Sequence, residues 1–305
     1  MRIKLIVNPA SGGETALDHL PAINARLRTA GDVDIVLTTG DGDGVDAGRR
    51  AALDGCDQVF VAGGDGTLNE VLNGVAQVDG ALERIPLGVV PLGTGNDFAT
   101  ALGIPDAPEA AVDALLAGRV AAVDIGRVND RCFLNVSAGG FIADVSDAVR
   151  PQLKTVLGKL AYLVGGAQVL LDYEPIAVRV GRAGDEGARD MRLLAFAVCN
   201  SRLIGGGRLI APSAVIDDGW LDVCLIGAMP ALEFVALLRR VSSGDHVDDD
   251  RVTYFRTQQL ELAFDRAVRI NTDGQVLEAD RCRYEVLPGA ARVLLPRTPA
   301  EPPGR

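Results

Sequence analysis

The sequence predicts an α/β amino-terminal domain, with a parallel sheet and helices on both faces, followed by an antiparallel β-sandwich domain. In the first part of the 305-residue chain, short apolar runs alternate with helical stretches, which is the pattern of a parallel sheet covered by helices. From about Asp124 onward, β-rich runs are separated by Gly, Asp and Pro, which favours a sandwich. With 48% apolar residues, the chain can fill two hydrophobic cores.

The first domain is predicted to span residues 1–123, and the second to span residues 124–288. Within the first domain, the expected strands are 3–7, 58–62 and 85–90, and the expected helices are 14–29, 45–53, 67–74 and 107–116. Within the second, strand-like runs occupy 176–180, 193–199, 221–226, 259–264 and 267–271, and one helical stretch occupies 232–241.

A Gly-Gly-Asp-Gly-Thr turn at residues 63–67 joins an expected strand to an expected helix. Glycines here let the backbone approach a ligand closely, so that amide N–H groups can point at phosphate oxygens. Asp65 would repel a bare phosphate, but it suits a site where it holds a hydrated divalent cation or takes a proton during phosphoryl transfer. The same residues also suit a tight turn in which the glycines only satisfy backbone geometry.

Two further loops have the same small, polar, glycine-containing composition. Residues 8–13, Asn-Pro-Ala-Ser-Gly-Gly, follow the first strand, and residues 91–98, Pro-Leu-Gly-Thr-Gly-Asn-Asp-Phe, follow the run 85–90. Open α/β sheets bind ligands at the carboxyl ends of their strands. Three such loops on one edge therefore predict a nucleotide cleft.

Composition argues against several other classes of function. A formal net charge of −11 argues against nucleic-acid binding, which needs a basic surface, and against permanent adhesion to anionic bilayers. The five cysteines are scattered without metal or disulfide spacing, and the two histidines offer little to a zinc site or a catalytic triad. No apolar stretch reaches the roughly 20 residues of a membrane span. We therefore expect a cytoplasmic protein with reduced thiols.

The motifs NPASG at 8–12, GGDGTLNE at 63–70 and PLGTGNDFA at 91–99 resemble the catalytic domain of the diacylglycerol kinase family. The likeness is to its bacterial lipid kinases of the YegS and BmrU type, and it continues through NTDGQ at 271–275. The resemblance implies an ATP- and Mg²⁺-dependent lipid kinase with a fold of the NAD kinase and diacylglycerol kinase type. It also implies that segment 289–297 returns to the first domain.

The family pattern further implies which residues contact ATP and the cation. The ATP phosphates and ribose would contact the three loops and the threonine after the second strand. These residues are Asn8, Pro9, Ala10, Ser11, Gly12, Thr38, Gly64, Asp65, Gly66, Thr67, Leu68, Asn69, Glu70 and Thr94. The cation would take the Asp218 carboxylate and the backbone carbonyls of Val215 and Trp220, which are oxygens suited to Mg²⁺. By sequence alone, the same stretch fits an ordinary Asp-Asp-Gly β-turn.

One residue departs from the family pattern at the position of its catalytic base. The late-strand motif usually contains Asp-Gly-Glu, with the glutamate assigned as base for the acceptor hydroxyl, but this chain has Gln275. Because a carboxamide does not accept a proton at neutral pH, the catalytic set is Asp65, Asp273 and Gln275, with either aspartate as the alternative base. Phosphoryl transfer relies mainly on positioning and charge neutralisation, so the departure is compatible with activity.

The resulting hypothesis is transfer of the γ-phosphoryl group of ATP to a hydroxyl of a lipid such as diacylglycerol or a related glycerolipid. Two alternatives stay open: an NAD kinase-like enzyme, and a non-catalytic nucleotide- or lipid-binding protein in which Gln275 marks lost chemistry. A lipid acceptor requires transient, peripheral contact with the membrane surface. Residues 153–171, where lysines interleave with apolar residues, fit either such a contact or an ordinary packed helix. The resemblance also leaves a homodimer open.

Overall fold

The computed structural model describes residues 1–12, 16–40, 42–143, 173–182 and 187–297. The segment 153–171, considered above as a membrane contact, lies outside the described residues. No helix within the described ranges is long and apolar enough to cross a membrane.

The amino-terminal sheet is parallel, which confirms the prediction from the alternating pattern. Its strands are β1 (Arg2–Val7), β2 (Asp32–Leu37), β3 (Gln58–Gly63) and β4 (Leu87–Pro91). They lie in the order β4-β3-β1-β2 and every neighbouring pair is parallel. Strands β3 and β4 are almost entirely buried, as expected when helices cover both faces of a sheet. The carboxyl ends of β1, β3 and β4 consequently meet at one edge.

Six helices of the amino-terminal domain are described. They are α1 (Ala16–Leu27), α2 (Asp43–Leu53), α3 (Asp65–Ala76), α4 (Ala81–Arg84), α5 (Asp97–Ala101) and α6 (Pro108–Leu116). Helix α1 packs against α6, and α2 packs against α3. The second pair approaches closely because its contact positions are glycines: a Cβ at Gly74 would overlap the carbonyl oxygen of Val45, and one at Gly48 would overlap that of Val71.

The carboxyl-terminal domain is an antiparallel β-sandwich, as predicted. Its described elements are β5 (Arg119–Val128), β6 (Arg131–Phe133), β7 (Val136–Gly140), β8 (Ile176–Arg182), β9 (Arg189–Cys199), β10 (Leu203–Ile204), β11 (Arg208–Leu209), β12 (Leu221–Gly227), α7 (Ala231–Arg240), a 3₁₀-helix (Asp245–Asp248), β13 (Val252–Thr257), β14 (Gln259–Thr272) and β15 (Gln275–Leu295). Strands β7 and β8 follow each other in the space between β9 and β14. The sheet encloses a core that includes Phe133, Phe196 and Tyr284. A separate cluster packs α7 through Phe234 against the alternate side chains of β9.

Strands β5 and β15 run through both domains. The first half of β5 pairs with the end of β15, for example Val120 with Leu294, and its second half pairs with an earlier part of β15, for example Ile125 with Leu287. Val293 of β15 also pairs in parallel with Leu87 of β4. The end of β15 therefore lies beside β4, and the strands of both domains form one continuous hydrogen-bonded sheet.

The close packing of α2 on α3 predicts that a single methyl group will destabilise the amino-terminal domain. Gly74→Ala places a Cβ against the backbone of α2, so the helices must separate. We expect the free energy of unfolding to fall by about 1–3 kcal/mol, the usual cost of overpacking. Urea unfolding followed by circular dichroism measures this. Gly187→Ala is the matched control, because nothing lies within 4 Å of its Cβ position; equal effects of the two substitutions would contradict the packing argument.

Candidate active site

Three loops at the carboxyl edge of the parallel sheet contact one another. The Asn8 side-chain amide donates to Thr67 Oγ1 at 2.9 Å, which joins the loop after β1 to the turn after β3. That turn also meets the loop after β4, because a Cβ at Gly93 would lie only 2.6 Å from Gly64 Cα. The glycines are therefore required for close backbone approach. The structure brings the three loops predicted from sequence together.

Both carboxylate oxygens of Asp65 accept backbone N–H groups of the loop after β4. Its Oδ2 accepts from Asp97 N at 3.0 Å, and its Oδ1 accepts from Phe98 N at 3.1 Å. These are the first N–H groups of α5, which have no partner within that helix. Burial raises the pKa of Asp65, and the charge of Asp97 adds to the effect, while the backbone N–H groups oppose it. In this geometry Asp65 positions the loop.

Asp97 joins that loop to the carboxyl-terminal domain. Its carboxylate accepts Gly206 N at 3.0 Å and Gly207 N at 2.7 Å. Gly206 and Gly207 have φ values of 86° and 90°, a conformation that favours glycine. The sequence reasoning did not identify Asp97 as a functional residue. The Gly-Gly-Gly run at 205–207 was the available signal, because successive positive φ angles can turn backbone N–H groups toward one anion.

Asp273 lies in the tight turn between β14 and β15 and is fully enclosed. Its carboxylate accepts Leu134 N and Val136 N, each at 2.7 Å, and Asn135 N at 3.1 Å. Burial raises its pKa to about 6, although the three backbone N–H groups lower it and the charge of Asp65 raises it further. Since the oxygens of Asp273 are occupied by amide groups, the side chain holds the β6–β7 connection in place.

The turn that carries Asp273 packs on the glycine turn of the amino-terminal domain. A Cβ at Gly274, whose φ is 90°, would lie 3.2 Å from Gly66 Cα. The next residue, Gln275, has its side-chain nitrogen 3.8 Å from the Cβ position of Gly66. The residue that departs from the family pattern therefore lies directly beside the candidate phosphate turn.

Glu70 connects Gln275 to a second helix terminus. Its Oε1 accepts the Gln275 side-chain N–H at 3.0 Å and Gly42 N at 3.2 Å, and its Oε2 accepts Gly44 N at 3.1 Å. Gly42 and Gly44 lie at the start of α2. The Glu70 carboxylate is therefore shared between the amino terminus of α2 and the carboxyl-terminal domain.

The other predicted nucleotide-binding residues divide into those on the edge and those facing inward. Thr38 lies at the end of β2, with its N–H bonded to Val7 O at 2.9 Å, and Thr94 is exposed. Leu68 belongs to the hydrophobic core and its N–H donates to Gly64 O at 3.1 Å. The Asn69 amide is buried and donates to Cys132 O at 2.9 Å. Leu68 and Asn69 thus support the turn from below, while residues 8–12 and 64–67 lie at the sheet edge.

The predicted cation ligands do not fit a divalent ion in this geometry. Val215 and Trp220 are among the exposed apolar residues, and Asp218 is the only side-chain ligand in the predicted set. Its carboxylate accepts Trp220 N at 3.1 Å and is ion-paired with Arg256, so a cation would have to displace a guanidinium. The described residues also contain no group of three or more His, Cys, Asp or Glu placed to hold a metal ion. The Mg²⁺ assignment stays a prediction.

Comparison with known proteins identifies the family. The profile of the diacylglycerol kinase catalytic domain matches residues 2–128, and that of the YegS C-terminal NAD kinase beta sandwich-like domain matches residues 135–295. A curated diacylglycerol kinase of Bacillus subtilis (strain 168) is 35% identical over 277 residues, which cover 90% of this chain and 89% of the relative. The chain belongs to the diacylglycerol kinase family. The protein is accordingly a kinase.

Further relatives agree with this membership of the diacylglycerol kinase family. A diacylglycerol kinase of Staphylococcus carnosus (strain TM300) is 32% identical over 275 residues, which cover 90% of this chain and 88% of the relative. A crystal structure from Bacillus anthracis str. Sterne superposes with a TM-score of 0.81 at 26% identity, covering 96% of this chain and 95% of that structure. Both domains and their connection are therefore shared with a solved relative.

The two N–H bonds to Asp65 predict the effect of Asp65→Asn in this diacylglycerol kinase family member. An asparagine has one acceptor oxygen, so its amide group faces a backbone N–H that then lacks a partner. We expect the free energy of unfolding to fall by about 1–3 kcal/mol, with weaker ATP binding because the loop after β4 shifts. Urea unfolding and ATP titration measure the two effects. The exposed Asp106 supplies the matched control, Asp106→Asn, and a stability change no larger than in that control would refute the positioning role.

The buried Asp273 predicts a specific pH dependence of stability. Its pKa is raised from 3.8 to about 6, so the folded protein binds the proton more tightly than the unfolded chain does. The associated stabilisation is fully present below pH 3.8 and is lost as the pH rises through 6. Relative to Asp273→Asn, the wild type should lose about 3 kcal/mol of unfolding free energy between those limits. Urea unfolding of both proteins across this range measures the difference; a difference that does not change with pH would contradict the assignment.

Proposed function

We propose that the protein transfers the γ-phosphoryl group of ATP to a hydroxyl group of a lipid, with diacylglycerol or a related glycerolipid as the acceptor. The observation that carries this proposal is the contact between Gly66 of the candidate phosphate turn and the Gly274–Gln275 turn of the sandwich. The contact brings the proposed nucleotide loops and the proposed acceptor side of the cleft within reach of each other. The curated relatives named diacylglycerol kinase support the choice of acceptor.

The ATP phosphates are proposed to bind at the amino terminus of α3. This 12-residue helix begins at Asp65, directly after Gly64, so its first N–H groups face the sheet edge. Free N–H groups and the helix dipole both favour an anion there. Asn8 and Thr67, which are hydrogen-bonded to each other, would hold the loop 8–12 beside the phosphates, with Thr38 and Thr94 further along the same edge.

The chemical step is proposed to depend on positioning. Phosphoryl transfer needs an in-line acceptor and neutralised phosphate charge more than strong deprotonation. Asp65 and Asp97 hold the loop after β4, and Asp273 holds the connection after β6, so three carboxylates position the walls of the cleft. Mg²⁺ bound with ATP would neutralise phosphate charge. No role in the reaction is assigned to Asp218, because it is paired with Arg256.

A lipid acceptor requires the protein to visit a membrane surface. With a net charge of −11, a permanent electrostatic attachment to anionic lipid is disfavoured. We therefore propose transient, peripheral contact by a protein located in the cytoplasm. The homodimer stays a prediction.

A transfer assay tests the proposed function. The purified chain is incubated with γ-labelled ATP, Mg²⁺ and detergent micelles that contain dioleoylglycerol, ceramide or sphingosine, with NAD in a parallel reaction. We expect label in the dioleoylglycerol product, which thin-layer chromatography resolves, and loss of transfer when EDTA removes Mg²⁺. Label in NADP instead would favour the NAD kinase-like alternative. ATP binding without transfer to any acceptor would favour the non-catalytic alternative.

A further inference from the structure

The cleft contains four carboxylates, and three of them have a positioning task that consumes their oxygens. Asp65 accepts two backbone N–H groups of the loop after β4, and Asp97 accepts those of the glycine run in the sandwich. Asp273 accepts three and is fully enclosed. A base must come within hydrogen-bond distance of the hydroxyl that it deprotonates, so these three carboxylates are poorly placed for the role.

Glu70 differs from the other three in position and in exposure. Its side chain is only partly buried and it lies beside the Gln275 amide, which in turn lies beside Gly66 of the phosphate turn. The Glu70 carboxylate thus borders the space where the proposed nucleotide turn and the acceptor side of the cleft meet. Each of its oxygens accepts an N–H group near the start of α2, which fixes the orientation of the carboxylate.

The contact between Glu70 and Gln275 also accounts for the departure from the family pattern. A carboxylate accepts hydrogen bonds and does not donate them, so the Gln275 amide nitrogen faces Glu70 Oε1 at 3.0 Å. A glutamate at position 275 would place two negative charges at about this separation, and like charges so close raise the pKa of one of the pair strongly. With glutamine the pair keeps a single carboxylate, and that carboxylate is at position 70.

We infer that Glu70 is the proton acceptor for the lipid hydroxyl in this chain and that Gln275 is a positioning residue that orients it. This inference rests on the proposed function. As the acceptor oxygen forms a bond to the γ-phosphorus, its proton passes to a Glu70 oxygen, and the bond from the γ-phosphorus to the bridging oxygen breaks, so that ADP leaves with the electron pair. The protonated Glu70 then returns its proton to water.

The experiment exchanges the two side chains. Glu70→Gln, Gln275→Glu and the double variant Glu70→Gln/Gln275→Glu are compared in the dioleoylglycerol assay, with ATP affinity measured separately by titration. We expect Glu70→Gln to lower kcat by about 10²–10⁴-fold, the usual contribution of a general base, with the ATP dissociation constant changed less than about threefold. The double variant should recover at least about tenfold in kcat over Glu70→Gln, because the same Glu–Gln hydrogen bond is rebuilt with the roles reversed.

Comparing the double variant with Glu70→Gln cancels any loss of the N–H contacts at Gly42 and Gly44, because both carry the same substitution at position 70. Glu83→Gln, on an exposed residue, is the control for a glutamate-to-glutamine change and should leave kcat unaltered. Gln275→Glu alone should lower kcat, since it places a second carboxylate against Glu70.

Three outcomes would overturn the inference. A Glu70→Gln variant with wild-type kcat, or a double variant no faster than Glu70→Gln, would remove Glu70 as the base while leaving the proposed function intact. A gain of transfer in Gln275→Glu alone would place the base at position 275. An inactive wild type that binds ATP would overturn this inference and the proposed function together.

Discussion

The cleft depends on one kind of interaction: a carboxylate that accepts backbone N–H groups from a neighbouring loop. Asp65 holds the start of α5, Asp97 holds the glycine run 205–207, and Asp273 holds the connection before β7. In each case the carboxylate and the amide groups come from different elements, so the bond fixes one loop against another. Enclosing these charges is tolerable only because amide donors replace water. The result is a cleft wall built from short loops.

Glycine contacts and the shared sheet set the distances over which those carboxylates act. Gly64 lies against Gly93 within the amino-terminal domain, and Gly66 lies against Gly274 across the domains. A side chain at these positions would separate the loops that the carboxylates join. Strands β5 and β15 carry the same constraint over a longer range, because they pair in both domains. The acceptor side of the cleft is thus registered to the nucleotide side by backbone hydrogen bonds.

Charge at the acceptor side follows from one amide and one carboxylate. The family pattern places a glutamate at position 275, and this chain has glutamine there. The substitution appears as lost chemistry only when the position is considered alone. Beside Glu70 it is a donor that matches an acceptor, so the pair holds one negative charge at the cleft. A reaction that depends on positioning and on a single base is compatible with that arrangement.

The sequence by itself determined the fold class, the three loops and the family. Those features depend on local patterns: apolar period, glycine at strand ends, and motifs of adjacent residues. Only the tertiary structure decided what each carboxylate does. Asp97 joins residues 109 positions apart to reach Gly206, and Glu70 reaches Gln275 across 205 positions. Such pairings leave no local signal, because a hydrogen bond depends on distance in space, and separation along the chain carries no information about it.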